Sequence, residues 1–306
     1  MAFFDQQLII ATLQVTTPIA LAAIGASFCE RSGVVNIAME GLLLMGAFAA
    51  AATSAYIGNP WVGVLVAILA GMLLSAIFAV ICIRYESNQI VVGVAINLFS
   101  LGFTTTMLRV IWKQTGAGDP VPKIKDLNIP LLKDLPVIGF FGRLNPLIII
   151  SLVVVPLAYI LMFQTPLGLQ IRAAGEHPRA LDTAGVDVYR IRYIGVILSG
   201  ALCGLGGAYL SIGHLNRFTK NMTTGKGFIA LAANIFGKWN PVGVFGASLF
   251  FGFTEALQIR IQQFTEIAGA SYFIQMIPYG LTIAVLAGAV RRAIPPAAIG
   301  QPYKKN

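Results

Sequence analysis

The chain has 306 residues, of which 57% are hydrophobic and only 11% are charged, and its formal net charge is +9. Soluble domains carry about 25% charged residues, so this composition excludes a soluble domain and predicts an integral membrane protein. A positive net charge is also typical of proteins that bind nucleic acid. Here no basic run is interleaved with aromatic residues, so we expect no nucleic acid among the partners.

Eight hydrophobic stretches are long enough to cross a membrane as helices, because a span needs about 17–25 apolar residues. In chain order they lie near residues 8–28, 38–57, 61–83, 89–111, 147–163, 193–213, 241–258 and 272–290. The shorter apolar piece 227–237 predicts a half-helix, and the region 29–40 is expected to be broken. The fold class is therefore all-α: one polytopic membrane domain over residues 1–306, with about 8–10 transmembrane helices, some of them broken.

The broken region 29–40 combines charge and polarity at the start of a hydrophobic helix. Glu30 and Arg31 are neighbours there, and Gly33 permits a break in the backbone. We expect both charges to remain near water at the mouth of this break. Asn36 and Glu40 follow at a spacing of four residues, so they share one helix face.

Further polar side chains lie inside predicted spans, where they are costly and usually face a bundle interior or a water-filled cavity. Gln89 and Asn97 fall on one face of the fourth span, and Asn234 lies in the predicted half-helix. Together with Asn36 and Glu40, these residues are candidates for the lining of a translocation path. The same side chains would also serve as hydrogen bonds that hold helices together. The sequence leaves both roles open.

The second long connection, 164–192, is the most charged segment of the chain. Pro166 and Gly168 are expected to end the preceding span. Pro178 is a preferred first residue of a helix, and Gly185 a preferred residue after its end. The pattern predicts a short exposed helix between two spans, which is either an ordinary surface connection or a docking element for a soluble partner.

The segment 164–192 resembles the cytoplasmic coupling segment of ATP-binding-cassette (ABC) importer permeases, in the family that serves simple sugars, branched-chain amino acids and nucleosides. The stretches 86–104, 225–243, 278–292 and 295–303 are similar to the nucleoside-type branch of that family. By this resemblance, the residues that couple to the ATPase are Gly168, Arg172, Ala173, Gly175, Glu176, Pro178, Arg179, Ala180, Ala184 and Gly185. Ion pairs across that interface are expected from Arg172, Glu176, Arg179 and Asp182.

The resemblance implies a multi-pass permease subunit of an ATP-driven nucleoside importer in the bacterial cell membrane, without a catalytic site, cofactor or metal of its own. Its implied partners are a cytoplasmic ATPase, a second paralogous permease, an extracellular lipid-anchored substrate-binding protein, the nucleoside and membrane lipid. It places 164–192 in the cytoplasm and the loop 112–145 outside, and it implies two pseudo-halves, about 1–115 and 146–306. Lys and Arg cannot supply this orientation, because nine of them fall on each side.

Other functional classes fit the sequence less well. No GxxxxGK[ST] phosphate loop occurs, so ATP hydrolysis must belong to another polypeptide, and no HExxH motif supports an intramembrane enzyme. An ion-coupled secondary transporter would need intramembrane carboxylates, which Glu40 and Glu255 would supply. Uptake of simple sugars or branched-chain amino acids is the nearer alternative.

Overall fold

The computed structural model describes residues 6–127, 144–264 and 293–305, and these ranges contain ten α-helices. They are α1 (Gln6–Arg31), α2 (Met39–Ile57), α3 (Pro60–Ala79), α4 (Gln89–Trp112), α5 (Pro146–Gln164), α6 (Pro166–Glu176), α7 (Pro178–Thr183), α8 (Val188–Ala208), α9 (Lys226–Phe236) and α10 (Pro241–Phe264). Helices α3 and α8 continue into π-helical turns at Val80–Arg84 and Tyr209–Leu215.

Seven of the helices in the described ranges are long and apolar enough to cross a membrane. They confirm the first seven predicted spans, and α9 confirms the predicted half-helix. The predicted break narrows to residues 32–38, where Gly33 has a φ of +95°. The eighth predicted span, 272–290, and the middle of the loop 112–145 lie outside the described residues.

Local capping explains where many of these helices begin. Six of them start directly after a side chain that accepts a hydrogen bond from a backbone amide of the first turn, an arrangement that stabilises helix N-termini. The capping residues are Asn59, Asn88, Asn145, Thr165, Asp187 and Asn240. In four cases a proline directly follows the capping residue, so local sequence determines where the helix begins.

Helix α8 lies at the centre of the bundle, against α1, α2 and α3. Small residues allow this close approach: a Cβ on Gly200 would collide with the backbone of Gly71, and one on Gly204 with the carbonyl of Ala67. The pair Gly200 and Gly204 therefore packs helices together, as its spacing of four residues predicts.

The two ends of the bundle carry different connections. At one end, the chain over 116–124 runs along 212–220, with hydrogen bonds such as Gly118 N to Phe218 O at 2.8 Å and Val121 N to Asn216 O at 2.8 Å. The other end, here called the coupling end, contains α6, α7, the break 32–38 and the C-terminal tail 293–305.

Candidate functional site

The break between α1 and α2 is held by side chains of α4. The Gln89 Oε1 atom accepts a hydrogen bond from Val35 N at 2.7 Å. Asn97 binds both sides of the break, since its Oδ1 accepts from Gly41 N at 2.7 Å and its Nδ2 donates to Ile37 O at 2.9 Å. These amides thus satisfy backbone groups that the break leaves without helical partners. A direct role for them in a translocation path stays a prediction.

Asn36 ties the same break to the central helix. Its side chain is fully buried, and its Nδ2 donates to the Ser199 Oγ atom of α8 at 2.8 Å. Its Oδ1 accepts from Ala38 N at 3.1 Å, one residue before α2 begins. The amide therefore fixes the entry of α2 against α8.

Glu40 belongs to α2, but its carboxylate lies at the N-terminus of α9. Its two oxygens accept hydrogen bonds from Gly225 N and Gly227 N, each at 2.7 Å. The first amides of a helix have no internal acceptor and lie at the positive end of its dipole, so an anion is favoured there. A Cβ on Gly227 would collide with the backbone of Glu40, so glycine allows this close approach.

Glu30 corrects one expectation from the sequence. Its side chain is only 2% exposed, so the prediction that it remains near water is wrong. Its Oε2 accepts hydrogen bonds from Trp239 Nε1 at 2.5 Å and from Asn234 Nδ2 at 2.9 Å. The Asn234 Oδ1 in turn accepts from Ser27 Oγ at 2.7 Å. Asn234 therefore connects α9 to α1 inside the bundle.

Arg31, the last residue of α1, contacts two other segments. Its Nε and Nη2 donate to the carbonyls of Trp239 and Lys238, at 3.3 and 3.2 Å, in the turn between α9 and α10. Its Nη1 lies 3.6 Å from the Glu176 Oε1 atom at the end of α6. Arg31 therefore connects the end of α6 to the turn that follows the C-terminal end of α9.

A cavity of about 550 Å³ opens beside the start of α9, between α9 and α10. Its lining includes Lys226, Phe228, Phe251, Thr254, Glu255 and Gln258. Lys226 Nζ and Glu255 Oε1 form an ion pair at 2.7 Å, and Phe228 is half exposed. The volume and the mixture of aromatic and polar groups suit a small organic molecule.

Sequence analysis missed most of this cavity. Glu255 stood out as an intramembrane carboxylate, and Lys226, at the start of the half-helix, was the matching signal for an ion pair. Phe228 carried no signal, because an aromatic residue in an apolar helix usually packs in the core. No group of three or more His, Cys, Asp or Glu side chains in the described part of the chain is placed to hold a metal ion.

The predicted coupling segment contains two helices rather than one. Helix α7 starts at Pro178 and is followed by Gly185 with a φ of +83°, which confirms the predicted start and stop. The preceding span ends at Gln164, as predicted, but α6 then begins at once, capped by Thr165 Oγ1 on Gly168 N at 3.1 Å. Proline and glycine end the span, yet they also suit the first turn of a new helix.

Two glycines of the coupling segment pack closely against other helices of this chain. A Cβ on Gly168 would collide with carbonyls at the end of α5, and one on Gly175 with the carbonyl of Arg31. These positions therefore set how α6 packs against α5 and α1.

The remaining coupling candidates differ in what they offer to a partner. Four are exposed, namely Arg179, Ala180, Ala184 and Gly185, whereas Ala173 and Pro178 are half-buried. Arg172 stacks over the Phe163 ring at 5.0 Å, and Glu176 is paired with Arg31. The exposed face is therefore that of α7.

The family model for the "Branched-chain amino acid transport system / permease component" matches residues 8–289. This chain belongs to that family. It is therefore a permease subunit of an ABC importer and a multi-pass protein of the bacterial plasma membrane. It is not an enzyme: ATP hydrolysis belongs to a separate ATPase subunit.

Three relatives place the chain within the family. NupQ of Bacillus subtilis, named as a guanosine ABC transporter permease, is 42% identical over 97% of this chain and 96% of NupQ. TsgC13 of Haloferax volcanii, whose name refers to glucose, is 33% identical over 99% of both chains. NupP of Bacillus subtilis, also named as a guanosine ABC transporter permease, is 28% identical over 79% of this chain and 70% of NupP. Paralogous permeases of this kind imply ATPase and substrate-binding partners.

Proposed function

We propose that this chain forms the translocation path of a nucleoside importer together with a second, paralogous permease. The observation that carries the proposal is the 42% identity to a guanosine permease over nearly the whole of both chains. The cavity beside α9 supplies a place for the solute, since its volume of about 550 Å³ is in the range of small-molecule sites.

The chemistry of that cavity suits a nucleoside. A nucleobase presents an aromatic face, and Phe228, half exposed at the cavity, offers a ring for stacking. Ribose hydroxyls and base edges both donate and accept hydrogen bonds, which matches the Gln258 amide. The Lys226–Glu255 ion pair adds one donor and one acceptor group at the same wall.

Coupling to ATP is a shift between two permease states that bind the ATPase with different free energies. The exposed face of α7 is the proposed contact with the ATPase. Because Arg31 joins Glu176 to the turn after α9, a displacement of α6 and α7 would be passed to the half-helix beside the cavity.

The proposed assembly has three further members. NupP supports a paralogous permease as the second subunit, since two related permeases carry the same guanosine name in Bacillus subtilis. The ATPase would bind at the coupling end, and a lipid-anchored substrate-binding protein at the opposite end, where residues 116–124 run along 212–220.

Uptake of a simple sugar is the second candidate, because TsgC13 is 33% identical and its name refers to glucose. To separate the two, the complete importer would be copurified, reconstituted, and assayed for ATPase activity with nucleosides, sugars and amino acids. Stimulation by nucleosides alone is expected. Transport by this chain alone, driven by an ion gradient and indifferent to ATP, would overturn the importer mechanism.

The coupling role of α7 is tested by Ala180→Asp. Ala180 is exposed, so the variant should fold and insert, and its charge should block close seating of the ATPase. We expect the loss of substrate-stimulated ATPase activity in the reconstituted complex. Ala180→Ser, which keeps a small uncharged side chain at the same exposed position, is the matched control. Equal ATPase stimulation in both variants would contradict the assignment, whereas Gly175→Trp is uninformative because Gly175 packs against Arg31.

A further inference from the structure

The C-terminal tail 293–305 lies along the coupling end and bonds to two of its segments. Ala298 N donates to Gly175 O, at the end of α6, at 2.8 Å. Gly300 N donates to Gly33 O, in the break before α2, at 3.0 Å. The tail therefore joins the coupling segment to the break through main-chain hydrogen bonds.

Side chains fasten the end of the tail to α7 and α8. Tyr303 Oη donates to Asp182 Oδ2 at 2.9 Å, and Lys305 Nζ lies 3.3 Å from Asp182 Oδ1. Tyr189 Oη donates to Tyr303 O at 2.9 Å. Burial of the ring and the hydrogen bond to Asp182 raise the pKa of Tyr303 above its usual value.

Between the tail and α7 lies a groove of about 800 Å³, here called the tail groove. Its lining includes His177, Arg179, Ala180, Arg192, Gln301 and Lys304. One wall is thus the coupling helix α7 and the other is the tail, so a partner seated on α7 would also meet the tail.

The charges around the tail groove leave a positive excess. Arg192 is only 2% exposed; its Nη1 donates to Gln301 O at 2.9 Å, while its buried Nε and Nη2 have no hydrogen-bond partner in the described residues. The nearby carboxylates are already engaged, Glu176 by Arg31 and by Ala297 N at 3.1 Å, and Asp182 by the tail.

Two further positively charged side chains, Lys304 and Arg179, line the tail groove. Lys304 is paired with Glu86 at 3.1 Å, whereas Arg179 is exposed and has no ion-pair partner among the residues that the structure describes. A buried charge without a counter-charge is costly. The groove is therefore electrostatically complementary to a carboxylate placed beside the exposed Arg179, within the field of the buried Arg192.

We propose that the tail groove is part of the ATPase docking site and that an acidic side chain of the ATPase enters it. The proposal rests on the proposed function, which places the ATPase at α7. The bound carboxylate pairs with Arg179 and offsets the buried charge of Arg192. Because the tail also bonds to Gly33, docking there acts on the break before α2 as well as on α6.

Cross-linking of the complete transporter tests the location. Single cysteines would replace Ala180 on α7, Gln301 on the tail and Thr115 at the opposite end, and the three native cysteines are buried and free. With a short cross-linker that carries a maleimide at one end and a photoreactive diazirine at the other, both Ala180→Cys and Gln301→Cys should link to the ATPase, and Thr115→Cys should not. A link from Ala180→Cys alone would overturn the tail groove and leave the proposed function standing. A link from neither would overturn both.

A matched pair of charge variants tests the chemistry. Gln301 is exposed at the groove, so Gln301→Glu and Gln301→Lys should both fold. We expect Gln301→Glu to weaken ATPase binding to the permease pair about tenfold, as a like charge would at an interface, and Gln301→Lys to leave it unchanged or tighter. Equal ATPase affinities of the two variants would contradict the proposal that a carboxylate of the ATPase enters the groove. A second result would also contradict it: calorimetry shows that inorganic phosphate binds to the permease pair, and Gln301→Glu abolishes this binding. The groove would then be a site for a free anion.

Discussion

Helix α2, which follows the break 32–38, and the half-helix α9 begin in similar ways but lie in different surroundings. Each follows a glycine with positive φ, Gly33 at +95° and Gly225 at +89°. Backbone amides around the start of α2 donate to the neutral side chains of Asn36 and Asn97, whereas those around the start of α9 donate to the carboxylate of Glu40. The start of α2 is thus capped by neutral amide side chains. The start of α9 is capped by a charged carboxylate that belongs to α2.

Their exposure differs as well. The start of α2 is enclosed by α4 and α8, and Asn36 is fully buried. The start of α9 opens on the cavity that contains Lys226 and Glu255. The break before α2 is thus held by internal hydrogen bonds, whereas the start of α9 borders a cavity, which is where we propose that the solute binds. Glu40 belongs to both.

Replacement of Glu40 by alanine should produce the largest effect. It removes both acceptors from the Gly225 and Gly227 amides, and hydrogen bonds to a charged group contribute about 1.5–3 kcal/mol each. We expect a loss of about 3 kcal/mol of stability and a loss of transport. Thermal unfolding of the purified complex measures the first, and uptake in proteoliposomes the second.

Glu40→Gln is the control for this variant, since it keeps one acceptor oxygen of the same reach and should recover part of the stability. If Glu40→Ala unfolds at the wild-type temperature, the carboxylate does not hold α2 and α9 together.

The helix boundaries were largely predictable, because they depend on local chemistry. Asn59, Asn88 and Asn145 lie directly before apolar runs, and such caps act within three residues of themselves. Partners across the bundle were not predictable in the same way. Glu40 and Gly227 are 187 residues apart in sequence, and only the packed helices bring them together.

Glu30 shows the same limit from the opposite direction. A charge near a helix end usually remains in water, so its sequence position indicated exposure. The side chain is instead buried by Trp239 and Asn234, which lie more than 200 residues away and supply two hydrogen bonds. Hydrogen-bond donors that are distant in sequence can therefore bury a charge that the local pattern predicts to be exposed. The tail groove also had no signal in the sequence, because it forms between segments that are distant in the chain.

Asn97→Leu should have an intermediate effect and would sharpen the comparison between the two helix starts. It leaves Gly41 N and Ile37 O without their partners, and an unsatisfied buried group costs about 1–3 kcal/mol. Thermal unfolding should reveal this loss, while the ranking of substrates in uptake assays should not change. A changed substrate ranking would indicate that Asn97 lines the translocation path. The start of α9 would then not be the only one of the two regions that contacts the solute.

Phe228→Ala should have the smallest effect on stability and the clearest effect on the KM for nucleoside uptake. The ring is half exposed, so its removal leaves no large internal cavity and the unfolding temperature should stay close to that of the wild type. Stacking of a base on an aromatic ring contributes about 1–3 kcal/mol, so the KM for nucleoside uptake should rise about tenfold. Phe99→Ala, at a similarly exposed ring on α4, is the matched control and should leave the KM unchanged. If both variants alter uptake equally, the effect belongs to the membrane-facing surface in general, and the cavity beside α9 is not the place where the nucleoside binds.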